Sequence, residues 1–364
     1  MNPNIPFRDK ETALKVSQSI KKEADTSKTY KIMEVCGTHT MAIARSGLRS
    51  MLPENVELIS GPGCPVCVTS QGEIDLFFEL LDKGISVASF GDLLRIPGSN
   101  GETLIDKRAR GADVNVVYSP LDTLKLAEEN PDKHYTFLGI GFETTAPTVA
   151  ALIMAAKEKG LKNLSVLSFC KTMPAAFDLI LSDKELHLDG FLCPGHVTAV
   201  TGVQLYEPLI KAGKAAVVAG FEPVEMLDAV YEIVKQSNNQ DFHIVNKYRR
   251  VVPDEGNAQA RAILAKVFDE SDAVWRGLGE LKKSGLAIKD EYIEYDALKR
   301  FNLQPKNITE IKGCKCGQVL TGKIKPQECP LFAKRCTPED PVGPCMVSSE
   351  GTCAAYYKFR LGDI

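Results

Sequence analysis

The sequence predicts an α/β protein: two similar parallel-sheet α/β domains plus a third, mainly helical and irregular domain rich in cysteine. Three observations carry that reading. From Tyr30 to about Gln236, short β-branched runs alternate with amphipathic stretches of helical spacing, the pattern of parallel strands joined by helices on the sheet faces. The alternation is duplicated, one run of strand-helix units ending near Asn130-Pro131 and another beginning at Tyr135. After Ser237 the texture changes to a charged helical stretch, then to a tail punctuated by proline and glycine.

Taken in order, the strands are expected at Lys31 to Val35, Val56 to Ile59, Ser86 to Phe90, Val114 to Tyr118, Tyr135 to Ile140, Ser165 to Phe169, Gly190 to Leu192 and Ala215 to Ala219. Between them, Ile74, Phe77, Phe78 and Leu81 recur at helical spacing, as do Val224, Leu227, Tyr231 and Val234. Ser70-Gln71-Gly72-Glu73 has the S-x-x-E form of a capping box and predicts a helix start. The domains are expected at 30–131, 132–236, and 1–29 with 237–364, the last including a helical region from Asn257 to Lys283 around the single Trp275. Both α/β halves open with a strand running into a small, Thr-rich turn: Val35-Cys36-Gly37-Thr38-His39-Thr40 and Ile140-Gly141-Phe142-Glu143-Thr144-Thr145. Gly-Phe-Glu recurs at Gly220-Phe221-Glu222. Open α/β sheets bind ligands at the carboxyl ends of their strands, so a cleft between the two halves is the expected site.

Composition narrows the function. With 364 residues, 44% hydrophobic, 25% charged and a net charge of −3, the chain is globular rather than disordered and lacks the basic excess of a phosphate-neutralising nucleic-acid binder. The first thirty residues mix lysines with acids and lack the apolar stretch of an export signal. The longest apolar run, Val149 to Ala156, has eight residues, where a membrane span needs about twenty. A cytoplasmic protein without membrane or nucleic-acid partners is expected. In a reducing compartment, eleven cysteines point to ligands or redox groups rather than disulfide scaffolding.

The cysteines form three constellations. Cys314, Cys329, Cys336 and Cys353 have the spacing C-x14-C-x6-C-x16-C on proline-rich loops, able to wrap an iron-sulfur cluster or, less typically without paired C-x2-C knuckles, zinc, with free or redox thiols as the third reading; Cys316 and Cys345 are spare. Cys64-Pro65-Val66-Cys67 follows a strand and precedes a helix start, whose dipole favours thiolate and therefore a dithiol-disulfide cycle; two small buried residues in a tight turn are the structural alternative. Cys36 ends the first strand with His39 three residues on, a pairing suited to a soft metal or a nucleophile. Weaker candidates are His196 in Cys193-Pro194-Gly195-His196, and Glu143, Glu222, Thr144 and Thr145, each equally able to cap a helix.

Cys36-Gly37-Thr38-His39, Gly61-Pro62-Gly63-Cys64-Pro65-Val66-Cys67, Gly141-Phe142-Glu143-Thr144-Thr145, Pro194-Gly195-His196-Val197 and the tail from Gly343 to Gly351 together resemble the HypD family of [NiFe]-hydrogenase maturation proteins. The resemblance runs from about Tyr30 to Tyr357. It implies a [4Fe-4S] cluster held by Cys314, Cys329, Cys336 and Cys353. It also implies a scaffold role, as a monomer within a hetero-complex: with a small HypC-type chaperone the protein assembles an iron bearing two cyanides and one carbon monoxide, the cyanide coming from a HypE-type donor. By motif, Cys36 becomes a ligand of that iron and Cys64 with Cys67 a redox pair near the cluster. Low-spin ferrous iron favours a soft thiolate, and His39, His196 and Glu143 are placed to orient cyanide or support the iron. A stand-alone iron-sulfur thiol-disulfide oxidoreductase would share the cluster and the Cys64/Cys67 pair but has no need of Cys36.

Overall fold

The computed structural model describes residues 5–306 and 312–361. Among the described residues, eleven strands form two parallel sheets and one hairpin. The strands are β1 (Tyr30–Glu34), β2 (Val56–Ser60), β3 (Ser86–Ser89), β4 (Val114–Val116), β5 (Tyr135–Gly139), β6 (Leu164–Ser168), β7 (Gly190–Pro194), β8 (Ala215–Ala219), β9 (Ile244–Asn246), β10 (Phe268–Trp275) and β11 (Gly279–Ile288). The first sheet has the order β2-β1-β7-β8-β9 and the second β4-β3-β5-β6. All pairs within these two sheets are parallel. β5, β7 and β8 are buried along their whole length, as helices on both faces require.

The sheets do not divide where the duplicated pattern places the boundary. β1 and β2 pair with β7, β8 and β9, while β3 to β6 form the second sheet, so the chain leaves the first sheet after Ser60 and returns at Gly190. The strand-helix alternation locates β1 to β8, while β9, β10 and β11 are not among the expected strands, and partner choice between parallel strands is set by non-local packing that the pattern does not encode. The N-terminal helix Lys10–Glu23, capped by Asp9, packs on Pro223–Asn239 and shares the first sheet's core through Ala13 and Ile20 rather than joining the tail.

The Asn257 to Lys283 region is only half helical. A helix at Ala258–Val267 packs on Ala146–Glu158 of the second sheet, and the chain then turns into the antiparallel β10–β11 hairpin. Its turn rests on Gly277 and Gly279 at φ 76° and 85°, which side-chain-bearing residues rarely adopt. Trp275 at the tip is fully buried, stacks on Phe142 at 5.7 Å and donates from Nε1 to Ser284 Oγ at 2.9 Å. The tail is mainly loops and short helices, ending in Thr352–Phe359, which packs on the Gly37–Ser46 helix. Among the described residues, no helix is long and apolar enough to cross a membrane.

Candidate functional site

Each sheet reverses its strand order once, between β1 and β7 in the first and between β3 and β5 in the second. Such switch points open crevices at strand carboxyl ends. Here the loops from both crevices line one cavity of about 200 Å³. The first sheet contributes Cys36 and His196, the second Asp92, Thr144 and Thr145, and the tail Glu350.

Cys36 lies two residues beyond the end of β1, at the N-cap position of the Gly37–Ser46 helix. Its Sγ lies 3.6 Å from His196 Nε2. Burial, and secondarily the Glu350 carboxylate, push the thiol up to about 12 despite the Thr38 and His39 amides at the helix start. Burial also holds His196 down at about 4. The pair is therefore neutral, with the proton on sulfur.

Tight backbone contacts fix this sulfur. A Cβ on Gly63 would lie 2.2 Å from the Cys36 nitrogen, and the Gly37 N–H donates to Gly63 O at 3.0 Å. A Cβ on Gly37 would meet the Glu350 backbone oxygen at 2.3 Å, and Thr38 Oγ1 donates to Glu350 Oε1. The Cys64–Cys67 loop and the tail are thus clamped onto the Cys36 turn from two sides. Burial raises the carboxyls of Asp92 and Glu350, so the cavity presents two acids with reduced tendency to ionise.

Cys64 and Cys67 form a disulfide with a Cα separation of 5.3 Å. Their exposures are 3% and 0%, and it is the neighbouring Gly63, Pro65 and Val66 that line the cavity. Cys64 Sγ lies 3.3 Å from Ser348 Oγ of the tail. The expected capping box is present: Ser70 accepts from the Glu73 amide and Glu73 from the Ser70 amide. Glu73 also binds Lys171 Nζ at 3.0 and 3.1 Å in a buried ion pair that ties this helix start to the loop after β6.

His39 is fully buried and does not line the cavity, its Nε2–H donating to Gly220 O at 2.8 Å while Nδ1 has no partner among the described residues. Glu143 and Glu222 do not line this cavity. Glu143 Oε1 accepts from the Met173 amide at the start of the Pro174–Ser182 helix, Oε2 has no partner among the described residues, and burial raises the carboxyl to about 7. Glu222 binds Arg8 at 2.6 Å, which lowers its carboxyl. Phe221 takes the place by the site: its ring stacks on His196 at 5.0 Å and lies 4.7 Å from His39. Phe221, Asp92 and Glu350 are not among the candidates that the sequence offers. Asp92 carries no local motif, whereas Phe221 occupies the same Gly-Phe-Glu position as Phe142, which lines the cavity.

The tail cysteines gather as well. Cys314, Cys316, Cys329, Cys336, Cys345 and Cys353 line one small cavity of about 30 Å³ with apolar neighbours such as Leu331 and Phe332. Among the described residues, no group of three or more potential ligands is arranged to hold a single metal ion. The donor chemistry nevertheless suits a cluster. Four thiols of the C-x14-C-x6-C-x16-C series share one apolar pocket, and amides already point at sulfur, Val342 N–H to Cys336 Sγ at 3.4 Å and Cys353 N–H to Cys345 Sγ at 3.3 Å.

The family model HypD, described as "Hydrogenase formation hypA family", matches residues 11–360. The chain is 43% identical over 362 residues to hydrogenase maturation factor HypD2 of Bradyrhizobium diazoefficiens, covering 97% of this chain and 95% of the relative. It is 43% identical over 368 residues to hydrogenase maturation factor HypD of Cupriavidus necator, covering 98% and 97%. It is 42% identical over 364 residues to the HypD of Escherichia coli, covering 97% of each. The family-model match and the full-length similarity show that the chain belongs to the HypD family of hydrogenase maturation factors.

Proposed function

We propose that this chain is the scaffold on which, together with a HypC-type small chaperone, an iron carrying two cyanides and one carbon monoxide is assembled, with cyanide delivered by a HypE-type donor. The observation that carries this reading is the placement of Cys36 Sγ in a cavity of about 200 Å³, facing His196 Nε2 at 3.6 Å. The iron and its diatomic ligands are the cargo. Cys36 ligates the iron as thiolate, so loading releases the proton held on Sγ, and the cation's charge offsets the burial that keeps the thiol near 12. His196 Nε2 faces that proton as an acceptor, and the proton itself leaves to solvent. The ring of Phe221 fixes His196 in orientation, and the low-lying imidazole presents itself neutral to cyanide or iron. Apolar wall residues such as Val35, Leu93 and Ile140 restrict water around the cargo.

In the same reading, Cys314, Cys329, Cys336 and Cys353 hold a [4Fe-4S] cluster, with Cys316 or Cys345 able to substitute. When bound, such a cluster supplies electrons one at a time. Reduction of the Cys64–Cys67 disulfide takes two electrons and two protons, breaks the S–S bond and leaves two thiols beside the cavity wall. The burial of both sulfurs weighs against a stand-alone oxidoreductase, which must offer its disulfide to an external protein thiol.

Infrared spectroscopy of the anaerobically purified protein with its small partner tests the proposal. Bands of metal-bound cyanide and carbon monoxide are expected in the native complex and absent from Cys36→Ala, with the visible absorbance of the cluster unchanged. A native complex containing the cluster but no such bands would favour the oxidoreductase reading.

A further inference from the structure

The tip of the β10–β11 hairpin touches both sulfur sites. Trp275 forms a β-bridge to Thr69, two residues beyond Cys67, and the Arg276 amide donates to Val68 O at 2.7 Å. On its other side the hairpin meets the tail, where a Cβ on Gly317 would lie 2.2 Å from Gly277 O. Arg276 stands between the two and is 4% exposed.

Its guanidinium faces both ways. Nη1 donates to Gln71 Oε1 at 2.9 Å, in the first residue of the helix after the disulfide turn. A Cβ on Gly343 would lie 3.3 Å from Arg276 Nη2 and 4.0 Å from Cys314 Sγ, so cation and sulfur flank the same glycine. A buried guanidinium keeps its charge and is costly without an anion. Among the described residues no carboxylate forms an ion pair with it, and Gln71 is neutral. The tail thiols across Gly343 become anionic when they ligate iron.

We propose that Arg276 is the buried counter-ion of the tail sulfur site, balancing its thiolates and favouring the reduced state of a cluster held there. The inference rests on the reading of Cys314, Cys329, Cys336 and Cys353 as cluster ligands. One-electron reduction adds a negative charge to the cluster and its thiolates without making or breaking a bond. A fixed cation in a low-dielectric setting stabilises that product more than the oxidised form. Arg276 acts as a positioning residue, through charge on the sulfur site and through its hydrogen bonds to the disulfide turn.

The test is an anaerobic dithionite titration of the full-length protein, followed by electron paramagnetic resonance, for the native chain, Arg276→Gln and Arg276→Lys. Arg276→Gln is expected to be about tenfold harder to reduce, a fall in midpoint potential of about 59 mV for a one-electron couple, with Arg276→Lys close to native. Loss of the cluster from Arg276→Gln alone, with Arg276→Lys retaining it at the native potential, also supports the counter-ion. Equal potentials in all three proteins overturn the inference while leaving the cluster reading intact, as does loss of the cluster from both variants, which would assign Arg276 to hydrogen bonding alone. A native protein reconstituted with iron and sulfide that shows no cluster signal overturns the cluster reading and the inference with it.

Discussion

The protonation state of Cys36 gives a sharp expectation for its reactivity. With the thiol at about 12, only about one molecule in 10⁴ carries the thiolate at pH 8, against roughly one in ten for an ordinary cysteine. Alkylation by iodoacetamide, a reagent small enough for a cavity of about 200 Å³, is therefore expected to run on the order of a thousandfold slower at Cys36 than at an exposed thiol. The rate should climb about tenfold per pH unit up to pH 9.5, because the reacting species is the thiolate. Glu350→Gln removes the charge that adds to the effect of burial and is expected to accelerate the reaction roughly three- to tenfold at pH 8, burial keeping it below ordinary reactivity. Peptide mass spectrometry after timed quenching separates Cys36 from the other cysteines. A native rate that levels off below pH 9, or one indifferent to Glu350→Gln, would refute this account of the site's electrostatics.

Three further outcomes follow from the same geometry. Gly63→Ala puts a methyl 2.2 Å from the Cys36 nitrogen; thermal unfolding should fall by several degrees, and Cys36 alkylation should speed up as the turn is forced open, with both unchanged if the clamp is unimportant. Lys171→Met strands Glu73 in the interior and is expected to cost about 3–5 kcal/mol in chemical denaturation, with Lys171→Met/Glu73→Gln recovering part of the loss; an equal or larger loss in the double variant would contradict the pairing argument. Glu143, raised to about 7, contributes stability that is full below its unfolded value near 4.5 and is lost as pH rises through 7. Glu143→Gln should therefore gain on the native chain between pH 5 and pH 8, by about 3 kcal/mol at most, and parallel pH profiles of the two proteins would show the carboxyl to be unshifted.

Much of the site is legible in the sequence because chemistry in parallel sheets gathers where strands end. Cys36, His196, Thr144 and Thr145 each follow a strand, and they meet in one cavity. The two Gly-Phe-Glu turns are read less well. Glutamate is the obvious chemical candidate, yet in both turns phenylalanine takes the site side, Phe142 lining the cavity and Phe221 stacking on His196, while Glu143 and Glu222 serve helix starts. Successive residues leaving a strand point to opposite faces, so one of each pair had to turn away. Asp92 and Glu350 gain meaning only from burial against each other and the thiol, which no local pattern records. The hairpin escapes because helical spacing can be fitted to Val267 through Lys283, although Gly277 and Gly279 mark the turn. Sheet membership is hidden for the same reason that β1 finds β7: a contact between segments far apart in sequence leaves no trace in the periodicity of either.

The central claim is that Cys36 binds the cargo iron, and Mössbauer spectroscopy of complex loaded with ⁵⁷Fe tests it most directly. The native protein with its small partner should show a low-spin ferrous component at about one iron per chain alongside the cluster signal. Cys36→Ala should keep the cluster signal and lose that component. A low-spin component undiminished in Cys36→Ala would place the iron elsewhere and contradict the account.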